Sequence, residues 1–150
     1  MTHSHLTPDL SSRPHDSHAE RWTPLSPARL YRAWTQEWDL WFAKPGTVVM
    51  DAQPGQPWFF YVEFQGARHP HYGRFIRLIP ARLIETTWVT GKGGTEGAET
   101  LLTVELVAEN NGTRIRLSHR GFPHAQAASE NQAAWPFVLE QQEQRLTAVS

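Results

Sequence analysis

The last strand-like run and the last helix-like run of the chain most constrain what it can fold into. Alternation over Thr113-Arg114-Ile115-Arg116-Leu117-Ser118-His119 puts Thr113, Ile115, Leu117 and His119 on one face and both arginines on the other. From Trp135 to Val149 the period is helical: Trp135, Val138, Leu139, Leu146 and Val149 share one stripe, with Gln142 at its centre. Two apolar faces of different period have to cover one another. Each also carries a polar residue, His119 or Gln142, where an apolar one is expected, so the pair reads as the lining of a cavity.

The rest of the chain supplies a sheet. Ser17–Thr23 is a first, polar strand. Ser26-Pro27 opens a short helix, because the hydroxyl can accept from free N–H groups and proline fits the first helical position. A second short helical turn spans Glu37–Phe42 and ends at Lys44-Pro45-Gly46. From Thr47 the period becomes two: Val48–Asp51, Trp58–Phe64, Tyr72–Ile79, Leu83–Val89, Thr100–Val107 and Thr113–His119. Asn110-Asn111-Gly112 is a tight hairpin, and His69-Pro70-His71 is read as a turn. Pro136 would open the long helix, leaving Ala125–Ala134 as a separate or kinked piece. The class is α+β: about six or seven antiparallel strands, two short helices after the first, and a long C-terminal helix.

At 150 residues this is one domain, 17–150, behind a polar arm, 1–16, expected to be disordered. With 14 basic and 15 acidic side chains there is no electrostatic case for nucleic acid or an anionic membrane. No cysteine is present, which removes disulfides and thiol chemistry. No leader-like run and no run of membrane-spanning length is visible, so a cytoplasmic location is expected. Seven tryptophans and seven phenylalanines supply a large aromatic surface, either core filling or pocket wall.

These runs resemble a known family. Trp41-Phe42, Gly73 opening a strand that ends at Pro80, Leu83-Ile84-Glu85-Thr86-Thr87-Trp88, the Gly112–Gly121 run and the Trp135–Leu139–Leu146 helix are together similar to homologues of activators of heat-shock protein 90 ATPase. Those belong to the START-like, or SRPBCC, superfamily, with the birch-pollen allergen and polyketide cyclases. The resemblance implies a helix-grip fold, a curved antiparallel sheet around the C-terminal helix with a cavity between. Three functions follow as expectations: binding of a small hydrophobic or aromatic ligand, contact with a chaperone or other protein, or cyclase/dehydratase-like catalysis. The chain departs from the family at Ala134, where glycine is usual, at Pro136, and at Gln142, where leucine is usual.

Candidate cavity residues are Trp41, Trp58, Phe60, Val62, Phe75, Trp88, Leu117, His119, Trp135, Leu139 and Gln142. His119 is either a polar ligand contact or acid–base group, or a core-edge histidine satisfied by backbone. A buried Gln142 has to find a partner, a water or a ligand, unless its helix face turns to solvent. Arg74 and Arg77 sit on opposite faces unless a bulge intervenes, and Glu85 has the same ambiguity. Arg114 and Arg116 read as solvated sheet surface. No catalytic motif, cofactor motif or metal-ligand set emerges.

Overall fold

A computed structural model describes residues 7–149. Strands β1 (His15–Thr23), β2 (Val49–Met50), β3 (Pro57–Phe64), β4 (Ala67–Ile79), β5 (Leu83–Trp88), β6 (Thr100–Glu109) and β7 (Gly112–Phe122) form one sheet in the order β1-β7-β6-β5-β4-β3-β2. Every pairing is antiparallel. Helices α1 (Pro27–Gln36) and α2 (Trp38–Trp41) follow β1, and α3 (Ala125–Ala148) closes the chain. This is the helix-grip fold.

Local chemistry places these elements. The Ser26 side chain accepts from Arg29 N at 3.0 Å, and Pro27 occupies the first turn of α1. Both residues of the β6–β7 turn, Asn110 and Asn111, take positive φ, as a two-residue hairpin with right-handed strands requires. Indoles and phenyl rings from α1, α2, β3, β4, β5 and α3 then fill the space inside the sheet as one core cluster.

Four features differ from the sequence reading. His69-Pro70-His71 is no turn; it lies in β4, paired with Val62, Tyr61 and Phe60 of β3. Pro70 is tolerated because the named pairing of β4 with β5 covers only Phe75–Ile79, so no partner on that side asks Pro70 for an N–H. The second correction is α3, which runs unbroken for 24 residues with Pro136 inside it. Proline leaves the Gln132 carbonyl without its helical donor. Both residues are exposed, so that carbonyl lies on the solvent side while Trp135 and Leu139 hold the helix to the core. Third, Val149 falls off the buried stripe and is 56% exposed, one residue past the end of α3.

The fourth difference is at the amino end. β1 begins at His15, and ahead of it Arg13 donates from Nε to Gly121 O at 2.7 Å and from Nη2 to Glu99 O at 2.6 Å. Residues 1–6 of the arm read from the sequence lie outside the described residues. The arginine ambiguity resolves as a bulge: the β4–β5 register shifts between Phe75 and Arg77. Arg74 then pairs with Glu99 at 3.2 Å, and Arg77 lies 4.0 Å from Glu85.

Candidate functional site

The inner face of the sheet and the inner stripe of α3 meet where alternation and helical period place them. Trp41, Trp58, Phe60, Phe75, Trp88, Leu117, Trp135 and Leu139 belong to the buried core cluster, and Val62 packs against it from a half-buried position. The rings touch mostly edge to face. Trp38 meets Trp58 at 4.6 Å and 89°, and Phe60 at 4.6 Å and 83°. Trp88 bridges this group to Trp135 at 5.8 Å.

His119 is fully buried, and both its ring nitrogens are engaged. Trp135 Nε1 donates to Nδ1 at 3.1 Å. An indole nitrogen can only donate, so Nδ1 is bare and the proton sits on Nε2. Nε2–H therefore donates to Thr100 Oγ1 at 2.7 Å, and that hydroxyl donates onward to Trp88 O. Burial pushes the His119 imidazole down to about 3. It is a neutral strut tying β7, β6, β5 and α3 together. It cannot pass a proton to a bound molecule without breaking one of these bonds.

Gln142 is the opposite case. It is fully buried between Leu139 and Leu146, yet neither Oε1 nor Nε2 has a hydrogen-bond partner. Two indole N–H groups share that condition, those of Trp34 and Trp38. The contrast lies within one residue type, since Trp41 donates to Ala33 O at 3.1 Å and Trp58 to Thr86 Oγ1 at 2.7 Å. A buried polar group left unpaired costs about 1–3 kcal/mol. Trp34 and Trp38 belong to the aromatic cluster, and Gln142 lies on the buried stripe of α3.

The short helix α2 covers this region and buries Trp38 and Trp41 in the core. α2 has four residues, and its Trp41 O accepts from Gln141 Nε2 at 2.9 Å and Arg145 Nη1 at 3.2 Å on α3. A groove of about 550 Å³ opens beside it, lined by Thr35, Gln36 and Asp39 of the short helices and by Val48, Met50 and Asp51 at β2. Its apolar floor, Val48, Met50 and Ala52, packs on the aromatic cluster. The volume is of ligand size, within the ~300–1,000 Å³ usual for small-molecule sites.

Sequence reasoning missed Trp34, Trp38 and His71. His71 stacks on Phe60 at 5.3 Å and 17° and meets Trp88 edge-on at 5.5 Å. Its Nδ1 donates to the His69 carbonyl at 2.9 Å, and burial pushes its imidazole down to about 4. Strand alternation would have placed His71 on the inner face opposite Phe60; the prolyl residue before it hid that signal.

A curved antiparallel sheet closed by one long helix, with an aromatic interior, defines a START-like helix-grip protein. The family described as activator of Hsp90 ATPase homolog 1-like protein matches residues 24–147, and the chain belongs to it. No curated protein matches the chain. Among solved structures, one from Chromobacterium violaceum is 22% identical over 89% of this chain and 98% of its own, with a TM-score of 0.73. One from Mesorhizobium loti is 20% identical over 91% and 99%, with a TM-score of 0.72. The Aha1 dimer from Colwellia psychrerythraea is 16% identical over 87% and 95%, with a TM-score of 0.67. At these identities the likeness speaks for the fold alone. Among the described residues, no helix is long and apolar enough to cross a membrane.

Proposed function

We propose that the protein binds a small, largely apolar molecule that enters at the groove beside α2 and reaches the aromatic interior between sheet and α3. The observation that carries this reading is the set of unpaired buried atoms, Trp34 Nε1, Trp38 Nε1 and both amide atoms of Gln142. The fold has no stability reason to bury them unpaired, and a ligand that completes them recovers their desolvation cost. Trp41, Trp58, Phe60, Val62, Phe75, Trp88, Leu117, Trp135 and Leu139 would line the space opened when α2 shifts, and His119 positions Trp135. Binding requires α2 to shift, which would break the Trp41 O contacts to Gln141 and Arg145 and loosen the packing of Trp38 and Trp41.

Chemical-shift mapping with a panel of aromatic and apolar small molecules tests it. The indole N–H signals of Trp34 and Trp38 and the Gln142 amide should move together and saturably. Shifts confined to exposed residues, or none, overturn the reading.

The family's description brings a second reading, contact with a chaperone. The surface that favours it is a row on the outer face of the sheet, Val49, Phe59 and Tyr72, aligned across β2, β3 and β4 and 68%, 41% and 48% exposed. Stimulation of an Hsp90 ATPase, lost in Phe59→Ser with the fold intact, would support it; an unchanged ATPase rate would not.

A further inference from the structure

The two halves of α3 are held in different ways. From Leu139 onward, Leu139 and Leu146 pack into the main aromatic core. The buried residues ahead of Trp135 are Ala127 and Ala128, and they form a small cluster of their own with Phe122. The rest of that half is tied down by polar contacts. Ser17 Oγ donates to Ala128 O, and His18 N donates to Gln132 Oε1 at 3.1 Å. His124 Nε2 donates to Glu96 Oε1 at 3.0 Å, and Asn131 Nδ2 to Gly94 O at 3.4 Å.

Pro136 stands between the halves and leaves the Gln132 carbonyl without its helical donor. A helix bends most easily at such a point, since one of its hydrogen bonds is already missing there.

The sheet residues that hold the first half lie around one clamp. Arg13 forks between Gly121 O at 2.7 Å and Glu99 O at 2.6 Å, and its planar guanidinium suits two carbonyls at once. Glu99 adjoins Thr100, whose hydroxyl meets His119 Nε2 at 2.7 Å. Gly121 adjoins Phe122, whose ring lies 4.4 Å from that of His119. Ser17 and His18 follow Arg13 closely on β1. The β1–β7 register shifts between His15 and Asp16, so the regular ladder is interrupted at this end and Arg13 supplies a tie.

We propose that residues 125–134 are a lid on the sheet, hinged at Pro136 and held shut by the strap of residues 7–14 through Arg13. Unseating Arg13 loosens the start of β1 and the end of the β6–β7 hairpin together, and with them the attachments at Ser17, His18 and Phe122. The lid then lifts and uncovers Phe122, while Leu139 and Leu146 stay in the core. The strap stands ahead of residues 24–147 matched by the family, and Pro136 is one of the positions where the chain departs from it. The device is separate from the groove beside α2 and does not depend on a ligand there.

Amide hydrogen exchange of the full chain, followed by NMR, tests hinge and clamp separately. In the unaltered protein, residues 129–134 should exchange faster than residues 139–146, because the lid opens without global unfolding. Arg13→Ala should speed exchange at 129–134 roughly tenfold, the worth of one partly exposed charge-assisted hydrogen bond. Arg13→Lys keeps the charge but loses the fork, and should speed the same amides by less; it carries the test should the alanine variant fail to fold. Pro136→Ala restores the donor for Gln132 O and should slow exchange at 129–134. One common rate along α3 in the unaltered protein overturns the lid. Rates at 129–134 that no Arg13 variant moves overturn the clamp, and rates that Pro136→Ala leaves unchanged reduce the lid to a fraying helix end and overturn the hinge.

Discussion

Trp135 donates its indole N–H to Nδ1 of His119 at 3.1 Å, and this one bond fixes the tautomer of a buried imidazole. The two residues sit on α3 and β7, so the contact joins the helix to the strand it grips. Thr100 completes the chain on the far nitrogen. The result is a histidine whose neutrality is built into the core.

That neutrality makes stability depend on pH in a defined direction. The folded value of His119 lies at about 3, below its ordinary 6.5, so between these the unfolded chain binds a proton that the folded one does not. Stability is therefore full above about pH 6.5 and is lost as pH falls. The loss for one such histidine is about 2 kcal/mol between pH 7 and pH 5. His71, held at about 4, acts in the same sense. Urea unfolding at the two pH values should show this drop. His119→Asn keeps an acceptor for Trp135 but cannot titrate, and should remove about 2 kcal/mol of the difference; an unchanged difference would show that His119 is protonated in the fold.

Gln142 should be a position where the natural residue costs stability. Gln142→Leu replaces an unpaired buried amide with a side chain of similar size, on a stripe already carrying Leu139 and Leu146. The ligand-free protein should gain about 1–3 kcal/mol in chemical unfolding. No gain would mean that water already satisfies the amide. Stability gained together with ligand binding lost would mark Gln142 as a residue kept for function.

How far the site could be read in advance follows from which period carried each residue. His119 and Gln142 were legible because unbroken alternation and a helical stripe each run through them, and no bulge intervenes between β6 and β7. His71 was hidden by Pro70, whose usual meaning is a break, because one sequence does not say which strands reach far enough to need its N–H. The continuity of α3 through Pro136 was hidden for a related reason. The local rule stops a helix there, and packing of Trp135 and Leu139 on the sheet outweighs it. The orphaned indoles of Trp34 and Trp38 were beyond reach altogether. Whether an N–H finds a carbonyl depends on tertiary distances, and Trp41, on the same short helix as Trp38, does find one.

Gly73 marks where two strands and a ring crowd together. A Cβ built there would stand 2.1 Å from Thr87 O and 2.9 Å from Trp58 Cζ2. The carbonyl belongs to backbone of β5 and cannot rotate away, so β4 and β5 would have to separate. Gly73→Ala should cost about 1–3 kcal/mol, as overpacking does, with a reduced urea midpoint and disturbed Trp58 and Trp88 signals. A neutral effect would mean that the β4–β5 seam opens freely at this point. That would place flexibility in the sheet itself.

Arg13 bears on whether the segment before β1 belongs to the folded body. Its guanidinium reaches two carbonyls from opposite parts of the chain, Gly121 O beside the β1–β7 irregularity and Glu99 O just ahead of β6. Gly121 has φ +96°, and Leu10 lies where its Cβ would be, so the segment fills a space that only glycine leaves open. Hydrogen bonds from a charged donor are worth about 1.5–3 kcal/mol each when both groups leave water, and partial exposure here lowers that figure. Arg13→Ala should therefore destabilise the whole domain by about 1–3 kcal/mol in urea unfolding, and amide exchange at Leu10–Arg13 should rise. If exchange rises there while global stability stays unchanged, the segment is a separately frayed strap, and the cooperative unit begins at β1.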